Sequence, residues 1–101
     1  MNRKLPKPPL TVDLHADSFL TDYDQYDSDE LLLESLDRLR ETLDAAIYWE
    51  YTEIKFIHGR GKGILKQEIY RLLDDYKYSG AISHYYPSYQ NEDIVIVMIG
   101  V

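Results

Sequence analysis

The feature that most restricts the fold is a change of hydrophobic period across the six residues His58-Gly59-Arg60-Gly61-Lys62-Gly63. Before them, Glu53 and Lys55 alternate with Ile54 and Phe56, the period of a half-buried strand over residues 53–57. After them, Leu65, Ile69, Leu72 and Tyr76 recur at helical spacing, which predicts a helix over residues 64–78 with Gly80 as its stop. A strand that passes into a helix through three alternating glycines is a building unit of an α/β fold. The glycines allow left-handed backbone angles and close approach of another molecule. The helix start beyond them offers unpaired N–H groups and the positive end of the helix dipole, a setting that suits phosphate or carboxylate.

The same two periods sort the rest of the chain. Residues 10–14 form a short strand candidate, with Thr11 and Val12 favouring extended backbone. Asp13 and His15 lie two apart and point to one side while the chain stays extended. Residues 16–29 have no period and are rich in Asp, Ser and Tyr, with the acidic part over 17–29. Loops this long in small domains are functional or disordered. Asp27 and Glu30 have capping-box spacing, and Leu32, Leu36, Leu39, Leu43, Ala46 and Ile47 then mark the buried face of a helix reaching about residue 51. Residues 81–86 read as a third strand ended by Pro87. Residues 93–101 read as a fourth, apolar enough to predict a central place in the sheet. The turn-rich residues 87–92 suit an antiparallel connection. The order β-α-β-α-β-β predicts an α/β two-layer sandwich, a four-stranded mixed sheet with two helices. A right-handed crossover makes the first two strands parallel, and open α/β sheets bind ligands at the C-terminal strand edge. That topology brings Asp13 and His15 towards His58 and the glycine loop.

Composition narrows the classes. A chain of 101 residues supports one core, expected over residues 10–101 behind a basic, proline-rich tail or linker at 1–9. The tail suggests a domain belonging to a larger parent protein. There is no cysteine, so no disulfide or thiolate site forms, in keeping with a cytoplasmic setting. No run approaches the roughly 18 apolar residues of a membrane span. Heptads are absent, so a monomer is expected. The net charge of −7 weighs against non-specific nucleic-acid binding, which draws its affinity from a basic surface. The acid is unevenly placed, however: Asp17, Asp22, Asp24, Asp27, Asp29 and Glu30 share one segment, whereas Arg60, Lys62, Lys66 and Arg71 follow the glycine loop.

Other known motifs fit poorly. A Rossmann fingerprint needs G-x-G-x-x-G, and a Walker loop needs Ser or Thr after Gly-Lys, where this chain has Gly63. Asp22, Asp24 and Asp27 lack the glycine and closing glutamate of a calcium loop. No spacing signature supports a metal site from Asp13, His15 and His58, and no cofactor is expected. His84 reads as a sheet or surface residue. Tyr85, Tyr86 and Tyr89 suit either a cover over a sheet edge or a platform for unpaired bases.

Asp13-Leu14-His15, the run from His58 to Leu65, and the element order together resemble the Smr domain, found at the C-terminus of bacterial MutS2 proteins and in larger Smr-containing proteins. The family pattern reads D-L-H-G near the start and [T/H]-G-x-G-x-G before the second helix; Ala16 stands at the position of the first motif's glycine. The long acidic loop, and the lack of glycines over residues 85–92, are further departures. The resemblance implies a fold like the C-terminal domain of a bacterial translation initiation factor and a link to DNA nicking or RNA cleavage. On a phosphodiester substrate, His15 is the candidate base, since imidazole titrates near neutrality, with Asp13 to orient it. His58 is the candidate acid. Gly59, Arg60, Gly61, Lys62, Gly63 and Lys66 form the expected nucleic-acid cradle. The competing readings are a turn capped by Asp13 with His15 packed at a strand end, a purely structural glycine turn, and a non-catalytic module binding a protein segment or an anion.

Overall fold

The computed structural model describes residues 5–59 and 63–100. Its elements run β1 (Thr11–Asp13), α1 (Ser28–Tyr48), β2 (Glu53–Ile57), α2 (Ile64–Tyr78), β3 (His84–Pro87) and β4 (Ile94–Met98). The sheet order is β1-β2-β4-β3, with β1 parallel to β2 and the other two pairings antiparallel. The sheet is therefore mixed, and β4 lies between two neighbours as its apolar run predicts.

Alternation along the strands makes two layers. Val12, Ile54, Phe56, Val95 and Val97 are buried against Leu36, Leu39, Leu43 and Ala46 of α1 and Ile69 and Leu73 of α2. The residues between them, Thr11, Asp13, Lys55, Ile96 and Met98 among them, face the other way and are only partly covered or exposed. Period two in the strands and 3.6 in the helices thus meet in one core with an open face behind it.

Each helix has a chemical start and stop. The Asp27 carboxylate accepts from the Glu30 N–H at 2.8 Å, and the Glu30 carboxylate accepts from the Asp27 N–H at 3.0 Å, closing the expected capping box. Glu50, at φ 59°, turns the chain after α1, which ends at Tyr48 rather than near residue 51. Gly80, at φ 85°, does the same after α2.

Further local details differ from the sequence reading, among them the ends of β4, which spans Ile94–Met98 within the expected 93–101. The acidic stretch contains two 3-10 turns, Ala16–Ser18 and Tyr23–Gln25, held by local i→i+3 bonds. β3 begins at His84 because the N–H groups of Ala81 and Ile82 bond back to the Tyr76 carbonyl, at 3.0 and 3.4 Å, and finish the end of α2. Pro87 is the last residue of β3, on an edge where its missing N–H is tolerated. Ahead of β1, the Trp49 indole N–H donates to the Leu5 carbonyl at 2.9 Å, the Tyr51 hydroxyl donates to the Pro8 carbonyl, and the Lys7 ammonium sits 5.5 Å from the Trp49 ring centre. Residues 5–8 therefore lie against the end of α1. No helix among the described residues is long and apolar enough to cross a membrane.

Leu43 is fully buried at the centre of this core. Leu43→Ala is expected to lower the unfolding free energy by about 3 kcal/mol, read from urea midpoints at unchanged m-value.

Candidate functional site

The parallel pairing of β1 and β2 sets Asp13 opposite Ile57, so both strands end on the same edge of the sheet. His15 lies two residues beyond Asp13, and His58 and Gly59 follow β2 directly. The Leu14 N–H still donates to the Ile57 carbonyl at 2.9 Å before β1 peels away. The buried Ser35 of α1 donates to the Leu14 carbonyl at 2.7 Å, satisfying the group that the departing strand leaves behind.

Asp13 holds His15 twice. One carboxylate oxygen accepts from the His15 backbone N–H at 2.9 Å and pairs with the ring Nδ1 at 2.7 Å. Against an ionised carboxylate Nδ1 carries the proton, which leaves Nε2 as the free lone pair. Below the ring, the Ser18 hydroxyl donates to the His15 carbonyl at 2.6 Å. The His15 and Asp13 side chains each remain 43% exposed, so the pair is ordered yet open to solvent.

The glycine loop meets this pair at one residue. Gly59 has φ +74°, and a Cβ built on it lies 1.9 Å from His15 Nε2. The imidazole therefore occupies the space that any side chain at position 59 would fill. The N–H groups of His58 and Gly59 both donate to the Asp93 carbonyl, at 2.8 and 3.2 Å, which ties the loop to the start of β4.

His58 points inward. It is 4% exposed, its Nδ1 donates to the Gly59 carbonyl at 3.0 Å, and its ring stands edge-on to Tyr70 at 6.3 Å between centres. Its Nε2 and the Tyr70 hydroxyl are buried without a hydrogen-bond partner among the described residues. Burial pushes the His58 pKa below its ordinary value; the Gly59 carbonyl opposes this, and the Lys66 charge adds to it. The proton donor expected from the sequence is thus a buried imidazole bonded to the loop's own main chain. It packs the loop against α2.

Gly63, at φ +82°, begins α2 with no side-chain cap of its own and no acidic residue in the first turn, so among the described residues no carboxylate offsets the positive end of the helix. Lys66 lies one turn on, with its ammonium 5.7 Å from the Tyr70 ring centre. Gly63, Lys66, Gln67, Tyr70, Arg71 and Asp74 line a shallow groove along α2. Arg60, Gly61 and Lys62, counted with the cradle from sequence, lie outside the described residues. Among those described, no three His, Asp or Glu side chains group to hold a metal ion.

Sequence reasoning missed Ser18, Ser35 and Asp93, which act through main-chain bonds. Only Ser35 carries a visible signal, a polar residue beside the Leu32, Leu36 and Leu39 stripe.

The sequence model of one family, the Smr domain, matches residues 32–100. The match begins within α1 and takes in His58, the glycine loop, α2 and the last two strands. Smr domains are known as nucleic-acid-binding, endonuclease-like modules. No curated protein matches the chain.

Gly59→Ala is expected to destabilise the fold by about 2 kcal/mol or more, from left-handed strain plus the clash with His15. In a His15→Ala background the strain of about 1–2 kcal/mol alone remains. Strict additivity in this double-mutant cycle of urea unfolding contradicts the contact. His58 generates a pH test. Its folded pKa lies below the ordinary 6.5, so the unfolded chain takes up its proton first as pH falls. Stability contributed by neutral His58 is present above that value and is lost progressively as pH drops through it towards the folded pKa. Unfolding of wild type at pH 7.5 and pH 5.5 is expected to differ more than that of His58→Asn; equal differences contradict it.

Proposed function

The chain belongs to the Smr domain family, and we propose that it binds single-stranded or distorted nucleic acid and cleaves its phosphodiester backbone, with His15 as the proton acceptor. One observation carries the reading: an imidazole oriented by Asp13 and seated on Gly59, at the strand edge where an α/β sheet takes its ligands.

On RNA, His15 Nε2 takes the proton of the 2′-hydroxyl as that oxygen attacks phosphorus. The bond from phosphorus to the 5′-oxygen breaks, and the leaving oxygen takes a proton from solvent at this open edge. On DNA, the attacking group is water. Asp13 keeps the ring in the tautomer that accepts, and its charge faces the imidazolium that forms. The uncapped first turn of α2, Lys66, and Arg60 and Lys62 of the loop bind the phosphate and offset charge that builds up on its oxygens. His58 holds the loop from beneath. Binding in a larger parent protein would let other segments supply affinity that this acidic domain lacks.

A second reading, a non-catalytic module for a protein segment or an anion, draws support from the net charge of −7 and from Ala16 beside His15. Recovery of one protein partner that survives nuclease treatment favours it.

A cleavage time course on labelled RNA, duplex DNA and branched DNA, with and without chelator, tests the first reading. His15→Ala is expected to slow cleavage by about 10²–10⁴-fold. Lys66→Ala is expected to weaken binding on all sequences and to reduce the salt slope by about 1. Cleavage at equal rates by wild type and His15→Ala contradicts the assignment.

A further inference from the structure

Beside His15 lies a cavity that the chemistry above does not use. Its volume is about 340 Å³, and its apolar lining comes from Leu31 and Leu32 of α1 and Ile64 and Leu65 of α2. His15 and Ala16 form one end, and Ser28, Asp29 and Ser35 complete the lining. Ile64 is 57% exposed although it walls the cavity, an apolar surface left open at the start of a helix. Ligand sites run from about 300 to 1,000 Å³, so this one takes a single heterocycle rather than a large ligand.

We propose that this cavity receives one unpaired nucleobase next to the scissile phosphate, with a preference for bases that present N–H donors, guanine foremost. The inference rests on the nucleic-acid reading of the His15 edge. Three observations select the occupant. First, His15 belongs both to the cavity and to the Asp13 pair, so a base held here stays attached to the phosphate at Nε2. Second, much of the lining is aliphatic and comes from two helices, the kind of surroundings in which enzymes hold an extruded base between apolar side chains. Third, the charge is of the wrong sign for phosphate. At the start of α1 the Asp27 carboxylate already takes the Glu30 N–H, and Asp27, Asp29 and Glu30 bring three carboxylates together there. A carboxylate repels phosphate but accepts from a base edge.

In this proposal the selectivity falls to Asp29, the carboxylate residue in the lining. A carboxylate accepts from the amino group of cytosine or adenine, and from adjacent N1–H and N2–H groups of guanine. Uracil offers one N–H flanked by two carbonyl oxygens, which a carboxylate repels. The donor edges are engaged in a duplex, so the pocket reads only unpaired positions.

Fluorescence anisotropy at low salt, with an all-uridine RNA and the same RNA carrying one guanosine, tests the inference on the intact chain. Asp29→Asn removes the carboxylate, and Ala16→Phe fills the cavity; thermal melting confirms that each folds. Wild type is expected to bind the guanosine RNA about tenfold more tightly, with the ratio falling to within about twofold in both variants. The ratio is the readout because removing an acidic charge strengthens binding to any RNA. Binding with no guanosine preference, or a preference that survives both substitutions, overturns the pocket and leaves the nucleic-acid reading standing. No binding to either RNA, nor to duplex or branched DNA, sinks both.

Discussion

The site depends on one contact, the His15 imidazole resting where a side chain at position 59 would be. The first motif places a ring, and the second removes the Cβ that would displace it. Neither works alone. Asp13 fixes the ring from one side through a 2.7 Å bond to Nδ1, and the bare Gly59 admits Nε2 from the other. What remains is the Nε2 of a half-exposed imidazole, set against Gly59 at the edge of the sheet.

The fold holds that contact in register. A parallel pair needs a long crossover, and α1 supplies it, packing Leu36, Leu39 and Leu43 onto the sheet and sending Ser35 to the Leu14 carbonyl. β4 runs antiparallel beside β2 and returns the Asp93 carbonyl to the N–H groups of His58 and Gly59. The rings of His58, Tyr70 and Tyr85 then stand in successive T-shaped contacts, with the Tyr85 hydroxyl bonded to Asp74 at 2.5 Å. Burial and that carboxylate together raise the Tyr85 pKa to about 12, so the hydroxyl keeps its proton at any physiological pH. The fixed parts lie below the edge, and the groups proposed to meet substrate lie on it.

Features resting on neighbouring residues were legible in the sequence. The capping box of Asp27 and Glu30, the stop at Gly80 and the shared edge of Asp13 and His58 follow from local spacing and from the handedness of the crossover. Features decided by distant partners were not. Sequence spacing says nothing of how deeply His58 sits, and its burial against Tyr70 of α2 is set by a residue twelve positions away. The start of β3 is set by the Tyr76 carbonyl claiming two N–H groups that propensity assigns to a strand. The cavity beside His15 forms only when the starts of two helices far apart in sequence come together, and nothing local announces it. Ala16, at the position of the first motif's glycine, is part of that cavity's lining.

The account turns on the state of one ring. Long-range ¹H–¹⁵N spectra of the His15 imidazole, taken above the pH at which it is protonated, read its tautomer directly. The account predicts a proton on Nδ1, a bare Nε2, and an Nε2 resonance that moves when a single-stranded oligonucleotide is added. A proton on Nε2, or a ring that ignores the oligonucleotide while the protein binds it elsewhere, would contradict the assignment of His15 as the proton acceptor.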